Sequence, residues 1–223
     1  VNAGSEADET GVVSFASGTT ATITNITVTG GAVNANQDST ITVTDAIVAA
    51  TTIVLDDDLG QATITVNPAS DRAFGGTIDG AAAGEGALNA LDITGGASAT
   101  MAFSGNVGGT NSLLSVSVGN LGSGTAGAAT FAGTLAATTI TVEGGTAATE
   151  NSSATVTGAI TAATINVTGS TTNVVAPATL TASSPTTATG DINITAGDKA
   201  ALSPALFDAN GDVTATNIIV DGG

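Results

Sequence analysis

ATFAGTLAATTITVEGG, residues Ala129–Gly145, is followed almost at once by an echo of itself, ATVTGAITAATINVTG, at Ala154–Gly169. Phe131, Leu135, Ile140 and Val142 recur 25 residues later as Val156, Ile160, Ile165 and Val167. One structural unit is written twice, and a fixed period of roughly twenty to fifty residues marks a solenoid or array rather than a single compact core.

The end of the unit, an apolar-x-apolar triplet before a turn, can be followed through the chain. It gives Ile26/Val28, Ile53/Leu55, Leu91/Ile93, Val116/Val118, Ile140/Val142, Ile165/Val167, Ile192/Ile194 and Ile218/Val220. The second members lie 27, 38, 25, 24, 25, 27 and 26 residues apart, so only the 38 departs from the period. That gap holds Asp56–Asp71, with its own alternation at Ile64-Thr65-Val66 and a turn signal at Asn67-Pro68, and it reads as an inserted hairpin or elongated coil around 56–73. The unit's opening is marked by the five aromatic residues, Phe15, Phe74, Phe103, Phe131 and Phe207, with Val43, Val156 and Leu180 in the other repeats. Equivalent side chains on stacked coils about 4.8 Å apart form an interior ladder, which predicts that these residues share one column.

The expected fold is therefore all-β, a parallel β-solenoid of about eight coils of about 25 residues, forming one elongated domain over 1–223. Tandem immunoglobulin-like β-sandwiches are the alternative. Apolar content of 42% argues against disorder, while 2% aromatics with no Trp and no Tyr suits a thin core of small aliphatics better than a wide globular one. From Ile23 to Val28 β-branched residues alternate with period two, as a strand requires. Paired glycines at Gly30-Gly31, Gly95-Gly96, Gly144-Gly145 and Gly222-Gly223 predict sharp corners with positive φ. Gly80–Gly86 reads as a surface loop. Ala176–Thr189, which carries Pro177 and Pro185, reads as an irregular segment, an edge or a bend, because proline removes a ladder donor. Ala200–Phe207 is the one place where a helical turn is expected.

Net charge is −17, from 19 acidic residues against two basic ones, Arg72 and Lys199. Nucleic acids and anionic lipid surfaces both require Lys and Arg, so neither is an expected partner. No apolar run is long enough to span a membrane, so direct insertion is not expected either. An acidic surface favours solubility and divalent cations. The absence of His, Cys, Tyr and Trp removes Ser-His-Asp and Cys-His catalysis, imidazole and thiolate metal sites and disulfides, and the chain is read as a non-enzyme with no cofactor other than a calcium ion. Arg72 follows Asp71 and Lys199 follows Asp198, which suggests local ion pairs.

Two acidic stretches are weak calcium candidates. One is Asp56, Asp57 and Asp58, which also reads as a solvated turn. The other is Asp208, Asn210 and Asp212, where oxygen side chains alternate as in a calcium loop, although Val213 and Ile219 stand where an EF-hand has Gly and Glu. Threonine-rich strands also raise an ice-binding face. The residue between each pair of inward apolar side chains reads Thr27, Val54, Asp92, Ser117, Thr141, Asn166, Asn193 and Ile219, which is no threonine array and argues against that role.

The repeats FAGTLAATTITVEGG and VTGAITAATINVTGS resemble those of bacterial autotransporter passengers and rickettsia-type outer-membrane surface antigens, and more loosely those of Ala/Thr/Gly-rich surface-layer proteins. The resemblance covers nearly the whole chain and implies a secreted, surface-exposed β-solenoid. The expected role is structural: a subunit or segment of an extracellular filament, surface layer or coat. An adhesin or carbohydrate-binding module with a glycan partner is the alternative. The chain begins at Val1 with neither Met nor a signal pattern, which fits processed protein or a piece of a longer one. VNAG at its start has the form of a closing rung like VEGG at Val142–Gly145. Equal phase at the two ends predicts head-to-tail stacking of copies into a homopolymer.

Overall fold

Period-two alternation of β-branched residues leaves the backbone no internal partner, so each strand must pair with an equivalent strand elsewhere in the chain. In the computed structural model, which describes residues 11–16, 18–30, 38–56, 61–81, 89–95, 99–120, 125–147, 150–172, 175–197 and 203–222, that partner is always the same segment one turn away. Every pairing between named strands is parallel. The fold is a parallel β-solenoid. No helix is present among the described residues.

One sheet has eleven strands: β1 (Gly11–Phe15), β3 (Ser39–Thr44), β5 (Ala62–Asn67), β7 (Asn89–Ile93), β9 (Leu113–Val118), β11 (Leu135–Glu143), β13 (Ile160–Thr168), and two split rungs, β15 (Thr186–Ala188) with β16 (Asp191–Thr195) and β18 (Val213–Thr214) with β19 (Asn217–Asp221). The other has eight: β2 (Thr20–Thr29), β4 (Ile47–Asp56), β6 (Arg72–Gly80), β8 (Met101–Phe103), β10 (Ala128–Phe131), β12 (Ser152–Val156), β14 (Ala178–Ala182) and β17 (Ala205–Ala209).

Three inward ladders fill the interior. The first joins Phe15, Val43, Val66, Ile93, Val118, Val142, Val167 and Ile194, with Val13, Ile41, Ile64 and their equivalents two residues earlier, and continues in register to Val220, which is exposed. The second joins Val48, Phe74, Phe103, Phe131, Val156, Ala182 and Ala209. The third runs Ile26, Ile53, Ile78, Val107, Leu135, Ile160, Thr186 and Val213. Between ladders the alternation slips phase: in β11, Leu135 and Ala137 are buried, Thr138 is exposed, and burial resumes at Ile140 and Val142. Each slip is a corner of the coil.

This register corrects several expectations. Ile26/Val28 and Ile53/Leu55 belong to the third ladder, whereas Leu91/Ile93 continues the first through Ile64/Val66 and Ile41/Val43. The 38-residue gap came from splicing two ladders. Along the first ladder successive rungs lie 28, 23, 27, 25, 24, 25, 27 and 26 residues apart, and the segment 56–73 contains an ordinary rung, β5, with neighbours on both sides. Nor do the five phenylalanines share a column. Phe74, Phe103 and Phe131 stack, with ring centroids 5.5 and 5.0 Å apart, but Phe15 lies in the first ladder and Phe207 aligns with Leu180, two residues out of phase.

The segment 176–189 is also regular, holding β14 and β15. Pro177, Pro185 and Pro204 each stand just before a strand, at a corner, and their carbonyls accept N–H groups of Ser152, Ile160 and Ala178 at 2.9, 3.0 and 3.1 Å. A corner needs no ladder donor at that residue, so proline is tolerated inside the stack. The expected helical turn fails for the same kind of reason: Ala205–Phe207 opens β17, held by β14, and tertiary pairing overrides local propensity. Residues 200–202 lie outside the described residues, as do 82–86 of the expected loop.

Positive φ does not occur at Gly30, Gly95, Gly144 or Gly145; it occurs at Gly18, Gly76, Gly108 and Gly119. Gly144 is required for a different reason. A Cβ there would lie 2.0 Å from the carbonyl oxygen of Ala176 on the next coil.

Candidate functional site

The two calcium candidates fare differently from their spacing. Asp56 closes β4, where its carbonyl accepts the Gly30 N–H at 2.7 Å, while Asp57 and Asp58 lie outside the described residues. Asp208 is exposed in mid-strand opposite Thr181. Asn210 and Asp212 follow at an exposed corner, where the Asn210 N–H donates to the Ala182 carbonyl and the Asp212 carbonyl accepts from Thr186, each at 2.8 Å. Their backbone thus continues the stack. Among the described residues no three carboxylates converge on one point.

Carboxylates also join coils. The Asp38, Asp71 and Asp79 side chains accept backbone N–H groups of Gln61, Thr100 and Thr110 on the following coil, at 2.9, 2.8 and 2.9 Å. Asn89 and Asn106 do the same for Leu114 and Thr134, at 2.6 and 3.0 Å. A short side-chain oxygen at a corner replaces the ladder acceptor that the bend removes. The sequence signal was available: an Asp or Asn at the edge of a strand.

Arg72 does not form the expected pair with the Asp71 carboxylate. Its Nη2 lies 3.0 Å from Asp45 Oδ2, one coil earlier, and its Nε donates to the Asp45 carbonyl at 3.0 Å. Asp71 contributes only its carbonyl, 3.3 Å from Nη1. Asp45 is buried, adopts φ of 51°, and accepts both the N–H and the hydroxyl of Ser70 at 2.9 and 2.7 Å. This corner is the one place among the described residues where a salt bridge ties two coils. Beside it lies an open depression of about 400 Å3 lined by Ile47, Asp71, Arg72, Ala73, Thr100 and Ala102. Both charged side chains are already engaged, and the remainder is a shallow, mainly apolar dish. Lys199 and Asp198 lie outside the described residues.

The outward side of the first ladder is a further ordered surface. With the register corrected, the residues between inward pairs read Ser14, Thr42, Thr65, Asp92, Ser117, Thr141, Asn166, Asn193 and Ile219. Thr42 and Thr65 replace Thr27 and Val54, which belong to another ladder. A second row on the same side, two residues earlier, carries Thr40, Thr63, Ala90, Ser115, Thr139 and Thr164, of which Thr63 and Ala90 are buried. Side chains bond along these rows: Asn193 Nδ2 donates to Asn166 Oδ1 at 2.9 Å and Asn217 Nδ2 to Asp191 Oδ1 at 2.8 Å. Partial burial raises the pKa of Asp92 above the usual carboxylate range, and a hydrogen bond with Ser117 partly offsets that rise.

Compared with known proteins, the chain matches no family model, no curated protein and no solved structure.

Proposed function

We propose that the protein is a structural component of the cell surface or extracellular space, a subunit or segment of a filament, surface layer or autotransporter-type coat that assembles by head-to-tail β-stacking. The observation that carries this reading is the continuous parallel stack: along the first ladder every rung from Phe15 to Val220 pairs in register with the next, so each coil offers its neighbour the same backbone donors and acceptors. The parallel ladders support a load-bearing rod, because each coil is bonded to its neighbours along the whole described length.

Electron microscopy of the purified protein tests this. Rods longer than one subunit are expected. Single particles from the unaltered protein, together with saturable binding to one glycan, would replace this reading with that of an adhesin.

A further inference from the structure

The backbone pairs of the first ladder form beneath the hydroxyls on its outward side and do not use them. From β3 to β13 the two central rows hold at least one Ser or Thr at every rung but β7, with Asn166 beside Thr164 at β13, and their single charge is Asp92, in a chain with 19 acidic residues. On this face the rungs β3, β5, β9 and β11 carry a hydroxyl and no acidic side chain in either row. Its positions form a grid, about 4.8 Å between rungs and about 6.7 Å between alternate residues of one strand. The grid is rigid, since the backbone beneath it is bonded on both sides.

A small ligand would use one or two points of such a grid. Only an occupant that is itself periodic in two directions can engage many points at once, and repeated weak contacts then add without further loss of translational freedom. Each Ser or Thr hydroxyl is both a donor and an acceptor, the same capacity that water has. The two rows offer neither an aromatic platform for a sugar ring nor a cation for a phosphate. The uncharged character of those four rungs suits a neutral occupant.

We infer that this face binds the ordered water of an ice surface, through Thr42, Thr65, Ser117 and Thr141 with their row neighbours. This goes beyond the assembly reading and does not depend on it, since assembly uses the ends of the rod and ice binding its side.

The test is retention in growing ice, with microcrystalline cellulose and chitin as competing solids. The unaltered protein is expected to enter the ice. Thr65→Lys with Thr141→Lys, and separately Thr65→Ala with Thr141→Ala, should lose that retention while keeping their circular dichroism and melting temperature. Thr130→Lys, on the other sheet, should be retained as the unaltered protein is. Exclusion of the unaltered protein from ice, or equal retention of all variants, overturns the inference. So does capture by a polysaccharide solid that the same double variants lose while ice retention stays. None of these results bears on rod formation, which microscopy scores separately.

Discussion

Val142 and Thr141 are adjacent, yet one points into the solenoid and the other out of it. Val142 is fully buried between Val118 and Val167, whereas Thr141 is partly exposed between Ser117 and Asn166. Val142→Asp should cost several kcal/mol by burying an unpaired charge, and Thr141→Asp under about 0.5 kcal/mol. Thermal melts check this, and equal effects would invert the register. Asp92 adds a pH dependence. Burial raises its folded pKa, so between the ordinary carboxylate value and that raised value the native state holds the proton more tightly than the unfolded chain. Stability from this group therefore falls as pH rises through that interval. Asp92→Asn is expected to raise the melting temperature at pH 7, with the gain gone at pH 3, where both states of the unaltered protein are protonated.

At the scale of the element, strands are interchangeable and corners are not. Gly76, Gly105, Gly133 and Gly158 each stand two residues after the side chain of the second ladder, at Phe74, Phe103, Phe131 and Val156. Coils approach so closely there that a Cβ on Gly133 would lie 2.4 Å from Asn106 Oδ1 and 2.7 Å from the Gly105 carbonyl oxygen. Gly133→Ala should therefore destabilise by about 1–3 kcal/mol, the range for overpacking. Gly222→Ala meets nothing within 4 Å and should change stability by less than about 0.5 kcal/mol. Denaturant titration of both variants distinguishes a corner requirement from a general loss of chain entropy. The Asp and Asn side chains that cap corner amides belong to the same scale, since each completes a bond between consecutive coils.

For the whole molecule the dominant electrostatic fact is a net charge of −17 on a rod whose described residues show one salt bridge. Self-repulsion opposes the compact state, and cations screen it. Calcium and magnesium at equal ionic strength are expected to raise the melting temperature equally, as screening of the net charge requires. An excess rise with calcium would mark a specific site through binding to the native state, and Asp56→Asn with Asp57→Asn and Asp58→Asn would be the first variant to examine.

Repetition, most of the strand content and the inward or outward sense of residues such as Ile140, Thr141 and Val142 were legible in the sequence, because a period of two and a period near 25 are one-dimensional properties. The identical triplets that revealed the repeat also concealed its register. Ile53/Leu55 and Ile64/Val66 satisfy the same apolar-x-apolar pattern, and nothing local says that one stacks on Ile78 and the other on Leu91. Only the closed coil decides, since three ladders must run in parallel around one thin core and every rung must meet its backbone partners in all of them. The same closure fixed which glycines face a neighbouring carbonyl, which coil Arg72 reaches, and which threonines share a surface.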